Sequence, residues 1–250
     1  MKRNGETAEE LVEVYVWDRP TRILHWMNAI LVLTLLFLAV GFELMEELGV
    51  PKEARESLKE LHAYVGLFFV VTLSLRIIWG FAGNRYARWS DVIPWGAARW
   101  RDIWGNIRWL LSGLRGAPPV AVGHNPLASL FYCALFVVLI GQAVTGLVLA
   151  GEHFDMLPGR LLAAVLRGGI TGYAYAHEVE HVGDGTEESA LVEGLEELHE
   201  FGFYFIIFFI AAHLAGLVLH EIGERRGLLS SMITGRKYFR RDELDKLRDR

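Results

Sequence analysis

Cysteine is almost missing from this 250-residue chain: Cys133 is the single copy, and it sits inside an apolar run. One cysteine excludes an internal disulfide, and no C-x-x-C-H run exists for covalent attachment of a prosthetic group. The count leaves the redox compartment open. A secretory signal is missing too, because acidic residues precede the first apolar run and that run is long enough to span a bilayer. There is no internal repeat, low-complexity tract or targeting motif. One long apolar run, Leu127–Ala150, has no histidine, whereas each of the other three has at least one.

What the chain does have is apolar length. It is 52% hydrophobic with a positive mean hydropathy. Four runs, Ile23–Phe42, Leu61–Phe81, Leu127–Ala150 and Leu198–His220, are each about 20 residues or longer, enough to cross a hydrocarbon core of about 30 Å. The connections between them are too polar to be further spans. The pattern predicts an all-α membrane protein, a bundle of four transmembrane helices. Residues 1–241 are expected to form one integral membrane domain and residues 242–250 a charged cytoplasmic tail.

Charge sets the orientation. The stretch Gly83–Pro126 holds six arginines against two acids, and the chain after the fourth span holds nine bases against six acids. The connection 43–60 has three bases and six acids, and 151–197 has two bases and ten acids. Basic residues near span ends favour the cytoplasm. Both termini and 83–126 are therefore expected inside, and the two acidic connections outside. The first 22 residues are slightly acidic, but Arg19 and Arg22 flank the first span directly.

The fourth span, LHEFGFYFIIFFIAAHLAGLVLH, carries three histidines in an almost wholly apolar helix. His199 and His213 are 14 residues apart, which on a helix is about 40° short of four turns and a rise of about 21 Å. Two imidazoles thus leave one stripe, one near each membrane surface. Ionisable groups in hydrocarbon are expensive and are functional candidates by default. With the topology above, His62 and His199 lie near the outer surface, and His25 and His213 toward the inner one. Two axial imidazoles are what a b-type haem needs, so His62/His199 and His25/His213 form two natural ligand pairs. Each has a small residue on its own face, at Ala29, Gly66, Gly202 and Gly216, expected to leave space for a flat macrocycle. His220 matches His25 in depth at least as well as His213 does, and is the alternative inner ligand.

Two other stretches stand out. Gly96–Leu111 reads as an interfacial helix on the cytoplasmic face, with Trp100, Trp104, Ile107 and Leu111 on one side and mostly Arg99, Arg101, Asp102, Asn106 and Arg108 on the other. AHEVEH places His177 and His181 at the His-Glu-x-x-His spacing of a zinc helix. A protease would need a third ligand and a cleft, which a short extramembrane segment does not offer, so a solvated acidic helix contacting a partner is the expectation there.

Several blocks carry a family resemblance: RILHW (22–26), LRIIWGFAGNRYAR (75–88), IRWLL (107–111), VGHNPLA (122–128), TGLVLAGEH (145–153) and the H-x13-H of the fourth span. Together they run across most of residues 15–240, and the chain resembles the di-haem b-type cytochrome subunit of membrane-bound nickel–iron hydrogenases, within the bacterial cytochrome b561-like group. The resemblance implies two haem b groups held by His25, His62, His199 and His213, a quinone site by the inner haem, and an electron-donating partner at the outer face. It favours His213 over His220. The acidic segment Pro158–Glu197 departs from those subunits, and its charge suits a c-type cytochrome as the alternative partner.

The function expected is transmembrane electron transfer between a periplasmic redox protein and the quinone pool of the bacterial inner membrane. The redox protein is a hydrogenase iron–sulfur subunit or a c-type cytochrome. A homodimer within a larger complex is the assembly considered, and no nucleic acid is involved. Arg22, Arg76, His124, Asn125 and His220 are the residues expected to serve quinone or a haem propionate. Asn125 could instead simply start the helix at Pro126, and His153 could line the outer haem or the partner surface. Two readings of other classes remain: a haem-free histidine relay in a transporter or proton channel, and a plain membrane anchor.

Overall fold

A computed structural model of the chain describes residues 11–113, 115, 120–174, 186–224 and 227–248. A short strand, β1 (Leu11–Tyr15), leads into two long helices, α1 (Arg19–Glu47) and α2 (Lys52–Ala82). A one-turn helix, α3 (Trp89–Val92), and α4 (Gly96–Leu111) follow, then α5 (Pro126–Phe154) and α6 (Leu157–Ala174). The longest helix, α7 (Thr186–Glu224), precedes α8 (Leu228–Thr234), β2 (Arg236–Arg240) and α9 (Arg241–Arg248). Four helices, Arg19–Glu47, Lys52–Ala82, Pro126–Phe154 and Val192–Glu221 within α7, are long and apolar enough to cross a membrane.

The helix ends follow from local chemistry. Asp18 caps α1 by accepting the Thr21 N–H at 2.9 Å, and Pro20 sits in the first turn, where a missing N–H costs nothing. Gly49, at φ +69°, closes α1 in the left-handed conformation that glycine adopts freely. Asn125 caps α5, its Oδ1 accepting the N–H groups of Leu127 at 2.9 Å and Ala128 at 3.3 Å, with Pro126 at the first helical position.

The polar stretches 11–15 and 236–248, on either side of the spans, form regular structure. β1 and β2 pair antiparallel from Leu11↔Arg240 to Tyr15↔Arg236, and α8 and α9 lie against β2. Five-residue strands more than 200 positions apart give no local signal of their pairing. The pairing joins the stretch before the first span to the stretch after the fourth.

The described residues form two compact units. One draws on Met1–His25, Arg76–Ala134 and Phe209–Arg250, with Val16, Trp17, Val92, Ile103 and Phe239 among its buried side chains. The other draws on Trp26–Leu75 and Leu135–Phe208, with Leu38, Phe69, Leu73 and Val148 buried. The four long helices contribute to both. Large apolar side chains such as Phe37, Phe68, Val137 and Phe208 point outward. Exposed apolar area on that scale suits lipid and not water.

In the first unit the block 75–88 meets the segment before α1 at one carboxylate. Asp18 accepts the Trp79 indole N–H at 3.2 Å and the Asn84 backbone N–H at 2.9 Å, while the Asn84 amide donates to the Val16 carbonyl at 2.8 Å. Gly80 is needed because the Trp89 ring lies where a side chain would sit, 2.3 Å from the place of a Cβ. Burial works to raise the Asp18 carboxyl, but the Thr21, Asn84 and Trp79 hydrogen bonds outweigh it and hold the group below its ordinary value. At these positions the block LRIIWGFAGNRYAR thus serves to fold a junction.

Candidate functional site

In the second unit α2 and α7 bring His62 and His199 together in a T-shaped arrangement. Their ring centroids are 6.3 Å apart at an interplanar angle of 73°. Phe42 from α1 packs edge-on to His62 at 5.8 Å. The His62 ring lies in hydrogen-bonding reach of the Leu35 backbone, and its Nδ1 is buried with no hydrogen-bond partner. The helix whose apolar run has no histidine supplies the rest. On α5, Thr145 Oγ1 lies 2.8 Å from His199 Nδ1, and the Gln142 amide donates to the His199 carbonyl at 2.8 Å. A Cβ on Gly146 would come 2.9 Å from His199 Cε1, so glycine there lets the ring approach.

Of the small residues expected to make room for a macrocycle, Gly66 and Gly216 have nothing within 4 Å of the Cβ position. Gly202 does not fit that expectation. The Gln142 amide occupies its side-chain space, 2.1 Å from the Cβ position, so Gly202 serves helix packing.

In the first unit His25 interacts electrostatically with His213 and with Arg76. His213 stacks on Phe209, centroids 5.7 Å apart and planes 11° from parallel, and meets Tyr132 at 6.1 Å. Tyr132 in turn meets His124 at 5.5 Å. His124 is bonded twice to Asp91: its backbone N–H donates to Oδ2 at 3.0 Å and its Nδ1 lies 2.8 Å from the same oxygen. Arg99 adds a cation 3.8 Å from Asp91 Oδ1. Trp17 packs on His124 at 4.8 Å, and the Lys237 ammonium stands 5.0 Å over the Trp17 ring while donating to the Val122 and Gly123 carbonyls at 3.1 and 2.9 Å.

This cluster polarises its members. Burial pushes the His124 imidazole down, with Lys237 and Arg76 adding to it and Asp91 opposing. Burial pushes Asp91 up, but the His124 hydrogen bonds and the Arg99 charge prevail and hold it below the usual carboxylate range. At neutral pH Asp91 is ionised, so Nδ1–H of a neutral His124 donates to it.

The remaining predicted residues fall in separate places. Arg22 donates to the Ile233 carbonyl, and its Nε is buried without a partner. Asn125 is engaged as the α5 cap, and its amide also donates to Asn106 Oδ1 at 2.9 Å. Asn106 itself is buried, though the sequence pattern set it on the polar side of α4; Ile103, Asn106 and Trp109 are the packed face, while Trp100, Trp104 and Leu111 are exposed. His220 donates Nδ1–H to the Gly216 carbonyl at 2.9 Å, packs on Trp109 at 5.5 Å, and leaves Nε2 buried without a partner. His153 pairs with Glu196 at 3.1 Å on an exposed surface. His177 and His181 lie outside the described residues, and among the described residues no group of three or more His, Cys, Asp or Glu is placed to hold a metal ion.

Sequence reasoning missed Thr145, Gln142, Tyr132, Asp91 and Lys237. The first two carried a usable signal, since polar side chains in an apolar run call for a partner. Lys237 carried none.

Membrane-length helices that present facing, half-buried imidazoles, in a chain with no covalent attachment motif, are the marks of a membrane-bound b-type cytochrome. A family model described as prokaryotic cytochrome b561 matches residues 16–235, and the chain belongs to that family. It is 29% identical to a "Probable Ni/Fe-hydrogenase B-type cytochrome subunit" of Rhizobium leguminosarum bv. viciae, over 95% of this chain and 94% of the relative. A protein of the same name from Rhodobacter capsulatus is 28% identical, over 96% and 87%. A "Probable Ni/Fe-hydrogenase 1 B-type cytochrome subunit" of Escherichia coli (strain K12) is 31% identical over 59% of this chain and 65% of its own length.

The prosthetic group of such a family is haem b, and the outer residues fit it. A metal–imidazole bond is about 2 Å on each side and each ring centre lies about 1.1 Å from its nitrogen, so an iron between two rings sets their centroids about 6 Å apart. The 6.3 Å between His62 and His199 meets that requirement. The open flank at Gly66, one turn from His62, leaves room beside it.

Proposed function

We propose that the chain carries electrons across the bacterial inner membrane through two b haems, between a periplasmic hydrogenase and the quinone pool. His62 and His199 hold the outer haem, and His25 and His213 the inner one. The observation that carries this reading is the 6.3 Å spacing of the half-buried His62 and His199 rings. The hydrogenase partner rests on the printed names of the relatives, which match nearly end to end.

Bound haem supplies the one-electron redox couple. The chain's residues do the rest. The four histidines fix the plane and spacing, and the lipid-facing helices keep water away. Arg22 and Arg76, both in the unit of His25 and His213, supply positive charge for propionates. Quinone chemistry needs protons, and the first unit holds groups that can pass them. His220 offers an unpaired buried Nε2, and Asp91, His124 and Tyr132 lie in succession toward His213. Asn125, already used on both sides of its amide, holds the loop before α5 rather than a substrate.

The test is a spectrum and a partner. Protein purified from haem-replete cells should show sharp b-type α bands on reduction and about two haems per chain. A colourless protein sinks the proposal in favour of a histidine relay or plain anchor. His62→Ala or His199→Ala should remove one haem and spare the other. Affinity capture from native membranes should bring down a hydrogenase small subunit. Recovery of a c-type cytochrome in its place would overturn the partner assignment and leave the haem assignment intact.

A further inference from the structure

Helix α5, whose one histidine, His153, lies in its last turn, looks idle in any reading built on axial ligands, yet it holds His199 at three points. The Gln142 amide ties the His199 backbone, Gly146 clears space for its ring, and Thr145 reaches its Nδ1. The hydroxyl of Thr145 has one proton to give. It lies 2.8 Å from the carbonyl of Gly141, four residues earlier on the same helix, and 3.4 Å from that of Gln142. A threonine in a membrane helix commonly returns its proton to the preceding turn in this way, which leaves its lone pairs facing outward. Thr145 is buried at 2% exposure, so no water competes for them. The 2.8 Å contact to Nδ1 therefore requires the imidazole to donate: His199 carries its proton on Nδ1. Its Nε2 is then the bare lone pair.

We propose that Thr145 is a positioning residue for the outer haem. It locks His199 in the Nδ1–H tautomer, fixes the ring rotation, and presents Nε2 to the iron. Accepting the Nδ1 proton also makes the imidazole a stronger donor, which favours ferric over ferrous iron and holds the outer haem's potential down. His62 differs: its Nδ1 is buried without a partner, and its ring has only the Leu35 backbone in hydrogen-bonding reach. The two outer ligands are thus unequal, and His199 is the anchored one.

This rests on His199 being an axial ligand, so the experiment carries a control for that. The full chain, solubilised with its haems, is titrated potentiometrically as unaltered protein and as Thr145→Val, Thr145→Ser and His199→Ala. Thr145→Val keeps the volume and removes the acceptor. A lost second-sphere partner weakens a metal ligand about tenfold or more. If the loss falls on the ferric form, tenfold is an upward shift of about 59 mV for one electron. One haem component should shift upward in Thr145→Val, the other should stay, and Thr145→Ser should restore the first. Potentials in Thr145→Val equal to those of the unaltered chain, while His199→Ala loses one haem, overturn the role of Thr145 alone. A full haem complement in His199→Ala overturns the ligand assignment on which the role depends. A Thr145→Ser chain that shifts as far as Thr145→Val shows that packing sets the potential, and that also overturns the proposal.

Discussion

Asp91 and His124 show how one buried pair sets the acid sensitivity of its surroundings. His124 has its pKa held below the ordinary imidazole value of 6.5, so the folded chain resists protonating it. The unfolded chain takes up that proton first as pH falls. The stabilisation is therefore complete above about 6.5 and is lost as pH drops toward the lowered folded value. Asp91, held below its ordinary 3.8, keeps its contribution down to about that pH and loses it only in stronger acid. Thermal midpoints of the solubilised protein should fall between about pH 7 and pH 5 through His124, before Asp91 responds. In His124→Asn that fall should be markedly smaller; an unchanged slope would place the sensitivity elsewhere. Asp91→Ala should be costly at neutral pH, by about 2–3 kcal/mol, because it strands both donors of His124 and leaves Arg99 without its anion. Asp91→Asn, which keeps an acceptor, should recover part of that in the same melting experiment.

At the scale of elements, hydrophobicity read the spans but not the helices. The apolar runs 61–81 and 198–220 sit inside helices Lys52–Ala82 and Thr186–Glu224. Apolar length reports how much helix lies in lipid, while backbone hydrogen bonding continues into the polar ends until something stops it. Between α1 and α2 that stop is only Leu48–Pro51, so most of the acidic connection is helical. The α5–α6 corner was not legible at all, because it depends on two backbones meeting. A Cβ on Gly159 would lie 2.1 Å from the Leu147 carbonyl oxygen and 2.5 Å from the Gly151 nitrogen. Backbone cannot swing aside as a side chain can. Gly159→Val should therefore force the corner apart and cost about 2 kcal/mol or more of stability. Gly194→Ala, on an exposed face of α7 with nothing near its Cβ position, should be neutral or gain up to about 1 kcal/mol. Melting curves of the two variants separate a required glycine from an incidental one. The site followed the same division. The histidine stripe was visible as period and depth on one helix. Thr145 and Gln142 were not, because their meaning lies in which residue of another helix they touch.

At the scale of the whole molecule, the packing joins stretches that the charge pattern groups together. Charge assigned both termini and the stretch 83–126 to one face. The β1–β2 pairing brings the two ends together, and Lys237 on β2 donates into the Val122 and Gly123 carbonyls of that stretch. Lys237 is 5% exposed, an ammonium bonded to two carbonyls and standing over Trp17, which itself packs on His124. Lys237→Ala removes the donor and leaves both carbonyls buried. Hydrogen bonds to a charged group contribute about 1.5–3 kcal/mol each, so the closure should lose about 3 kcal/mol or more. The Val122 and Gly123 carbonyls and the Trp17 ring that Lys237 engages belong to the unit that contains His25 and His213. Lys237→Ala should therefore lower occupancy or shift the potential of one haem and leave intact the haem that His199→Ala removes. The measurement is haem per chain with a redox titration on both single variants and on the double. Additive loss of two distinct components supports one haem in each unit. If both variants remove the same component, the assignment of one haem to each unit is wrong.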